Sequence, residues 1–197
     1  FQYPISSQVT SLNEHKSDVN CIGWQPGREV LASGSSDGSL KVWTEGQEGV
    51  EERSLGSKVF CLDWSAGGDL LATGCVNGKA ALWRGSSKVA ELKGHTGLII
   101  KIKFNGGGDL VATASDDKTC RVWKVAPGKM VKKVECGRGV QSLVWRDEEQ
   151  VIAGCYNGTI QMWRVDQEQD GASAKNGAQE HAKPAKSSRW TWLVWHV

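Results

Sequence analysis

The chain has 197 residues and a formal net charge of +2, from 24 Lys and Arg against 22 Asp and Glu. That near-balance argues against a nucleic-acid footprint, and no apolar run reaches the roughly 18 residues of a membrane helix. The opening FQYPISSQVTSL lacks the basic start and apolar stretch of a signal peptide. Ten Trp, against three Phe and two Tyr, is the unusual count, and their positions carry the reading.

From the N-terminus, residues 9–12 read as a weak strand. VNCIGW (19–24) is an apolar run ending in an aromatic. VLASGS (30–35) follows a Pro-Gly turn, and SLKVW (39–43) follows Ser36-Asp37-Gly38. A poor strand near 50–54 leads into VFCLDW (59–64), LLATGC (70–75), the turn Val76-Asn77-Gly78 and KAALW (79–83). Another weak strand near 88–92 precedes IIKIKF (99–104), LVATAS (110–115), Asp116-Asp117-Lys118 and TCRVW (119–123). The last set is a weak strand near 130–134, VQSLVW (140–145), VIAGCY (151–156), Asn157-Gly158 and TIQMW (159–163). Asp-Gly and Asn-Gly between strand-like runs predict type I′ hairpins, with positive φ at both central residues. No segment has helical periodicity with caps, so the predicted class is all-β.

These elements repeat. Trp43, Trp83, Trp123 and Trp163 are 40 residues apart, as are Asp37, Asn77, Asp117 and Asn157. Trp24, Trp64 and Phe104 keep the step, and Trp145 is one residue late. The period predicts four copies of one unit over 15–165, preceded by an outer strand in 1–14. Residues 166–189 are polar and rich in small residues and predict a disordered linker. Residues 190–197, with three Trp, form an apolar tail of uncertain origin. The six cysteines form no CxxC pair, and two pairs share a repeat position: Cys21 with Cys61, and Cys75 with Cys155. They read as buried apolar side chains in a reducing compartment, nucleus or cytoplasm. No zinc spacing, phosphate-binding glycine loop or nucleophile elbow is present, so no metal or cofactor is expected.

Strand–turn–strand units of this length, with Gly94-His95 and a lone His15, resemble the WD-repeat β-propeller family. The Asp that usually follows the last Trp is absent: Thr44, Arg84, Lys124 and Arg164 stand there. The resemblance implies a partial propeller, four blades of four-stranded antiparallel sheet in an open arc. It also implies a structural hydrogen-bonded chain in each blade. The first copy supplies His15, Ser33, Asp37 and Trp43, and the third His95, Thr113, Asp117 and Trp123. The second supplies Thr73, Asn77 and Trp83, with Leu55 in place of His; the fourth supplies only Asn157 and Trp163. Blades one and three are therefore expected to be rigid and blade four the weakest. Ser33, His15 and Asp37 look like a hydrolase set, but the same set recurs in copy three, so the expectation is a structural role and no enzyme.

In such folds partners bind loop residues at the blade tops. The corresponding positions are Asp18, Asn20 and Ser36; Lys58, Phe60 and Val76; Leu98, Ile100 and Asp116; and Gly139, Gln141 and Tyr156. Phe60, Leu98, Ile100 and Tyr156 are candidate hot spots, though Phe60 and Ile100 also suit packing between blades. The expected partners are proteins or peptides, with no membrane and no direct nucleic-acid contact. Four copies are fewer than the seven or eight or so of a closed ring, so further blades from a longer chain or another subunit are expected; a truncated product without function is the other alternative. The second to fourth copies are similar to the nuclear messenger-RNA export propellers and to the transducin beta-like corepressor subunits. Either implies a nuclear interaction scaffold.

Overall fold

The computed structural model describes residues 11–46 and 50–165. Every regular element in them is a strand. β1 (Val19–Trp24), β2 (Val30–Ser35), β3 (Ser39–Thr44) and β4 (Glu51–Ser54) form the first antiparallel sheet, in chain order. β5 (Val59–Trp64), β6 (Leu71–Cys75), β7 (Ala80–Arg84) and β8 (Ser87–Leu92) form the second. β9 (Ile99–Phe104), β10 (Leu110–Ser115), β11 (Thr119–Lys124) and β12 (Met130–Glu135) form the third.

The fourth sheet departs from the expectation of four strands. It holds three: β13 (Val140–Trp145), β14 (Gln150–Cys155) and β15 (Ile160–Arg164). The chain that would supply an outer strand, with the predicted linker 166–189 and tail 190–197, lies outside the described residues. So does most of the strand expected at 9–12; Ser11 to Glu14 form none.

The hairpin turns also differ from the prediction. Gly38 has φ +83° and Gly78 +80°, but Asp37 and Asn77 are not in the left-handed region. The Gly38 N–H donates to the Ser35 carbonyl at 3.2 Å, which makes Ser36-Asp37 the centre of a type I turn followed by a left-handed residue. The carboxylate is the reason: Asp37 Oδ1 accepts the Ser39 N–H at 2.8 Å, an Asx-type contact that holds Asp37 itself in an ordinary conformation. In copy three the left-handed place is taken by Lys118, φ +69°.

The sheets stack in series, with first strands β1, β5, β9 and β13 side by side. Each is a blade. Three apolar clusters fill the three junctions. Ala32, Leu40 and Leu71 lie between blades one and two; Leu82, Ile99, Ile102 and Val111 between two and three; Val122, Val140, Leu143 and Val151 between three and four. Burying each such Leu, Ile or Val side chain is worth about 1.5–3 kcal/mol. Glycines set the spacing: a Cβ on Gly34 would lie 2.5 Å from Val59 Cγ1, and one on Gly74 2.8 Å from Ile99 Cγ2.

Candidate functional site

Two sets of positions recur from blade to blade. The first is internal. In blade three the Trp123 indole donates to Thr113 Oγ1 at 3.0 Å, and the Thr113 hydroxyl lies 2.7 Å from His95 Nε2. His95 Nδ1 lies 2.7 Å from Asp117 Oδ2. An ionised Asp117 only accepts, so Nδ1 carries the proton and Nε2 accepts from the hydroxyl. Asp117 is further held by the Thr119 hydroxyl at 2.7 Å and the Thr96 N–H at 3.1 Å. Burial pushes its carboxyl up, but these donors, with His95, win and hold it at about 2. Burial likewise pushes the His95 imidazole below its ordinary range, against the pull of Asp117.

Blade one repeats this. Trp43 Nε1 donates to Ser33 Oγ at 2.8 Å, Ser33 Oγ meets His15 Nε2 at 2.8 Å, and His15 Nδ1 meets Asp37 Oδ2 at 3.0 Å. Burial works against the Asp37 charge, yet hydrogen bonds from Ser39, Lys16 and His15 keep the carboxyl well below the usual range. On paper this is a Ser–His–Asp triad. Ser33 is buried, however, and its hydroxyl already accepts from the indole and donates to the imidazole. It has no access to a substrate.

Blades two and four hold fragments of the same chain. Trp83 donates to Thr73 at 3.0 Å, and Asn77 Oδ1 accepts the Lys79 N–H at 3.2 Å. With Leu55 in place of an imidazole, a cavity opens beside Leu55, Thr73 and Trp83. In blade four the hydroxyl position is Ala153, and the buried indole N–H of Trp163 has no partner. The Asn157 carbonyl oxygen still caps its turn, accepting the Thr159 hydroxyl at 2.7 Å.

The second set faces outward at one end of each blade. The Ser36 N–H donates to the Asp18 carbonyl at 2.8 Å, Val76 to Lys58 at 3.0 Å, Asp116 to Leu98 at 3.0 Å and Tyr156 to Gly139 at 3.0 Å. Each blade thus ties the entry of its first strand to its hairpin. Between these ties the register slips at Val19/Cys21, Val59/Cys61, Ala114/Ser115 and Val140/Ser142. The residues left over are Asn20, Phe60, Ile100 and Gln141. A bulge re-aims a side chain and is over-represented beside functional sites.

Of the sequence-predicted contact residues, Asp18, Asn20, Lys58, Val76, Asp116, Gln141 and Tyr156 are exposed, and Ser36, Phe60 and Leu98 half-buried. Ile100 is the exception. It is 9% exposed and so presents little contact surface. Asn20 bridges blades, donating to Ser36 Oγ at 3.0 Å and to the Val59 carbonyl at 2.9 Å. At the other end of the series, the Tyr156 ring and Asp116 Oδ1 converge over Gly139, within 2.9 and 3.2 Å of where a Cβ would sit.

Comparison with known proteins decides the family. The WD domain, G-beta repeat, matches residues 6–44, 50–84 and 86–124, more than half of the chain. The protein belongs to the WD-repeat family. WD repeats build protein-interaction scaffolds, and that coarse role holds for this chain. The computationally designed Ika4 protein has the same fold, with TM-score 0.73 and 22% identity over 82% of this chain and 100% of its own. The designed Ika8 protein matches with TM-score 0.71 and 23% identity over 79% of this chain, which spans 48% of Ika8. No curated protein matches.

The family match stops at 124, yet the fourth WD repeat still folds as a sheet. Its polar chain has lost the hydroxyl and the imidazole, while its apolar strand pattern is intact. One feature of the opposite end was missed in the sequence. Arg53 stacks 5.8 Å from the Trp83 ring, and its buried Nε has no partner. It lines a cleft with Arg28 and Arg84. Only the fold brings these three arginines together, so no spacing rule finds them. Among the described residues no group of His, Cys, Asp and Glu is placed to hold a metal ion, and no helix is long and apolar enough to cross a membrane.

Proposed function

We propose that this protein is a non-enzymatic scaffold in a nuclear complex, a messenger-RNA export or related RNA-processing assembly, and that it docks protein partners on the bulged end of its blades. The observation that carries the reading is Tyr156, 58% exposed, converging with the exposed Asp116 over Gly139. An aromatic face beside a carboxylate is suited to a Lys or Arg side chain of a peptide. Lys58, Phe60 and Val76 extend the surface over blade two. The free faces of blades one and four are covered by further blades, from a longer chain or another subunit.

One observation supports the non-enzymatic part: the catalytic-looking hydroxyls of Ser33 and Thr113 are buried, each accepting from an indole and held against an imidazole. Six free cysteines support a reducing compartment. The test is affinity purification from nuclear extract with wild type, Tyr156→Ala and Arg28→Ala. The reading predicts that Tyr156→Ala loses partners which Arg28→Ala keeps. Retention by both variants would contradict it.

A further inference from the structure

Each blade has an entering face, packed on the blade before it, and a leaving face, packed on the blade after. On the entering faces of blades two to four, Val59, Ile99 and Val140 are fully buried. Their counterpart on blade one, Val19, is exposed. Ile22 is 66% exposed where its counterpart Ile102 is 1%. On the leaving side the contrast is the same: Ile160 is 77% exposed where Cys120 is 1%, and Met162 is exposed where Val122 is fully buried. Blade one therefore ends in an unused entering face and blade four in an unused leaving face.

The two faces match in polar detail as well. The Trp64 indole donates to the Gly23 carbonyl of the preceding blade at 3.0 Å, and Trp145 donates to the Lys103 carbonyl at 2.9 Å. Trp24 occupies the same place on blade one, exposed. The carbonyl in register on blade four is that of Val144, which is also exposed. Gly34 and Gly74 are crowded by the first strand of the next blade, whereas a Cβ on their counterpart Gly154 would meet nothing nearer than 3.9 Å. Blade four keeps the glycine notch, and the notch is empty.

We infer that two copies of this chain close on each other, blade four of one docking on blade one of the other at both junctions, to give a ring of eight blades. Val144, Ile160 and Met162 of one copy cover Val19, Ile22 and Trp24 of the next. The contact continues the three junctions already inside the chain, so it needs no new chemistry. A head-to-tail contact closes or runs on as a filament; about eight blades lies within the range in which propellers close, and a third copy would exceed it. The inference rests on the reading that further blades cover these faces, and not on the Tyr156 surface.

The test is the native mass of the full chain by light scattering, for wild type, Ile22→Asp, Ile160→Asp and an equal mixture of the two variants. Both positions are exposed in the single copy, so far-UV circular dichroism should show the strand content unchanged. The expected mass is twice 21.4 kDa for wild type and 21.4 kDa for each variant alone. The mixture should regain the doubled mass, at least tenfold more weakly, because one intact junction remains between unlike variants. A wild type at 21.4 kDa, a doubled mass indifferent to both substitutions, or a mass that keeps growing with concentration would overturn the eight-bladed pair. The wider reading fails separately: it falls if hydroxyl-radical labelling of the native complex in source cells finds Trp24 open to solvent.

Discussion

Blades one and three each carry a His, a hydroxyl residue (Ser33 or Thr113), an Asp and a Trp at the same spacings and hold them in the same hydrogen bonds, yet they are not equivalent. Trp123 is 2% exposed and His95 is buried, whereas Trp43 and His15 are half-buried. The local chain does not explain this. Among the described residues, blade three lies between two neighbours and blade one has a neighbour on one side only. The polar chain is specified within each repeat, and the burial of Trp123 is completed by the repeat before it. Such behaviour is expected of a stacked array, where each unit contacts only its neighbours.

The comparison is sharpened in the Ile22→Asp chain, where blade one's entering face stays free. Thr113→Val should give the largest effect. It strands the Trp123 and His95 nitrogens in a dry interior, and urea unfolding should show a loss of about 2–4 kcal/mol. Ser33→Ala removes the equivalent hydroxyl, itself buried but bonded to the half-buried Trp43 and His15, and the same measurement should show about 1–2 kcal/mol. Equal losses would break the comparison.

Acid should act on blade three in two stages. The unfolded chain takes up a proton on His95 near pH 6.5, which the folded blade resists because burial holds this imidazole low. Stability from this group is thus full above 6.5 and falls as the pH drops below it. Asp117 adds a second loss between 3.8 and about 2, as its paired carboxylate is protonated. The urea midpoint should therefore fall between pH 7.5 and 5, and His95→Gln should flatten that slope.

Blade four extends the comparison to a copy that lost its polar chain. Ala153→Ser restores a hydroxyl within the register that places Thr113 and Thr73, and gives the Trp163 indole an acceptor. Thermal unfolding should show a gain of about 1 kcal/mol. The smallest effect should come from Lys118→Gly. Relieving a left-handed residue in the blade-three turn should add roughly 0.5–1 kcal/mol.

Much of this was legible in the sequence, because a repeat prints its contacts at a fixed interval. The 40-residue steps of Trp and of Asp or Asn located all four blades, and the resemblance to the WD-repeat family named the members of the polar chains. What stayed hidden depends on neighbours or on backbone detail. The bulges at Asn20, Phe60, Ile100 and Gln141 leave no residue signature. Ile100 suits either a contact position or packing between blades, and only the fold shows it buried. Asp37-Gly38 reads as a type I′ turn, but its own carboxylate bonds the Ser39 N–H and selects a type I turn. Copies one and three read as equally rigid, since nothing in a repeat tells how many neighbours it will have.

Hydrogen exchange of the indole N–H groups, resolved by NMR in the Ile22→Asp chain, tests that last point most directly. Neighbour-dependent burial predicts that Trp123 exchanges at least tenfold more slowly than Trp43, although both donate to a hydroxyl at about 3 Å. Equal protection of the two would show that the polar chain itself sets the rigidity, and would contradict the account.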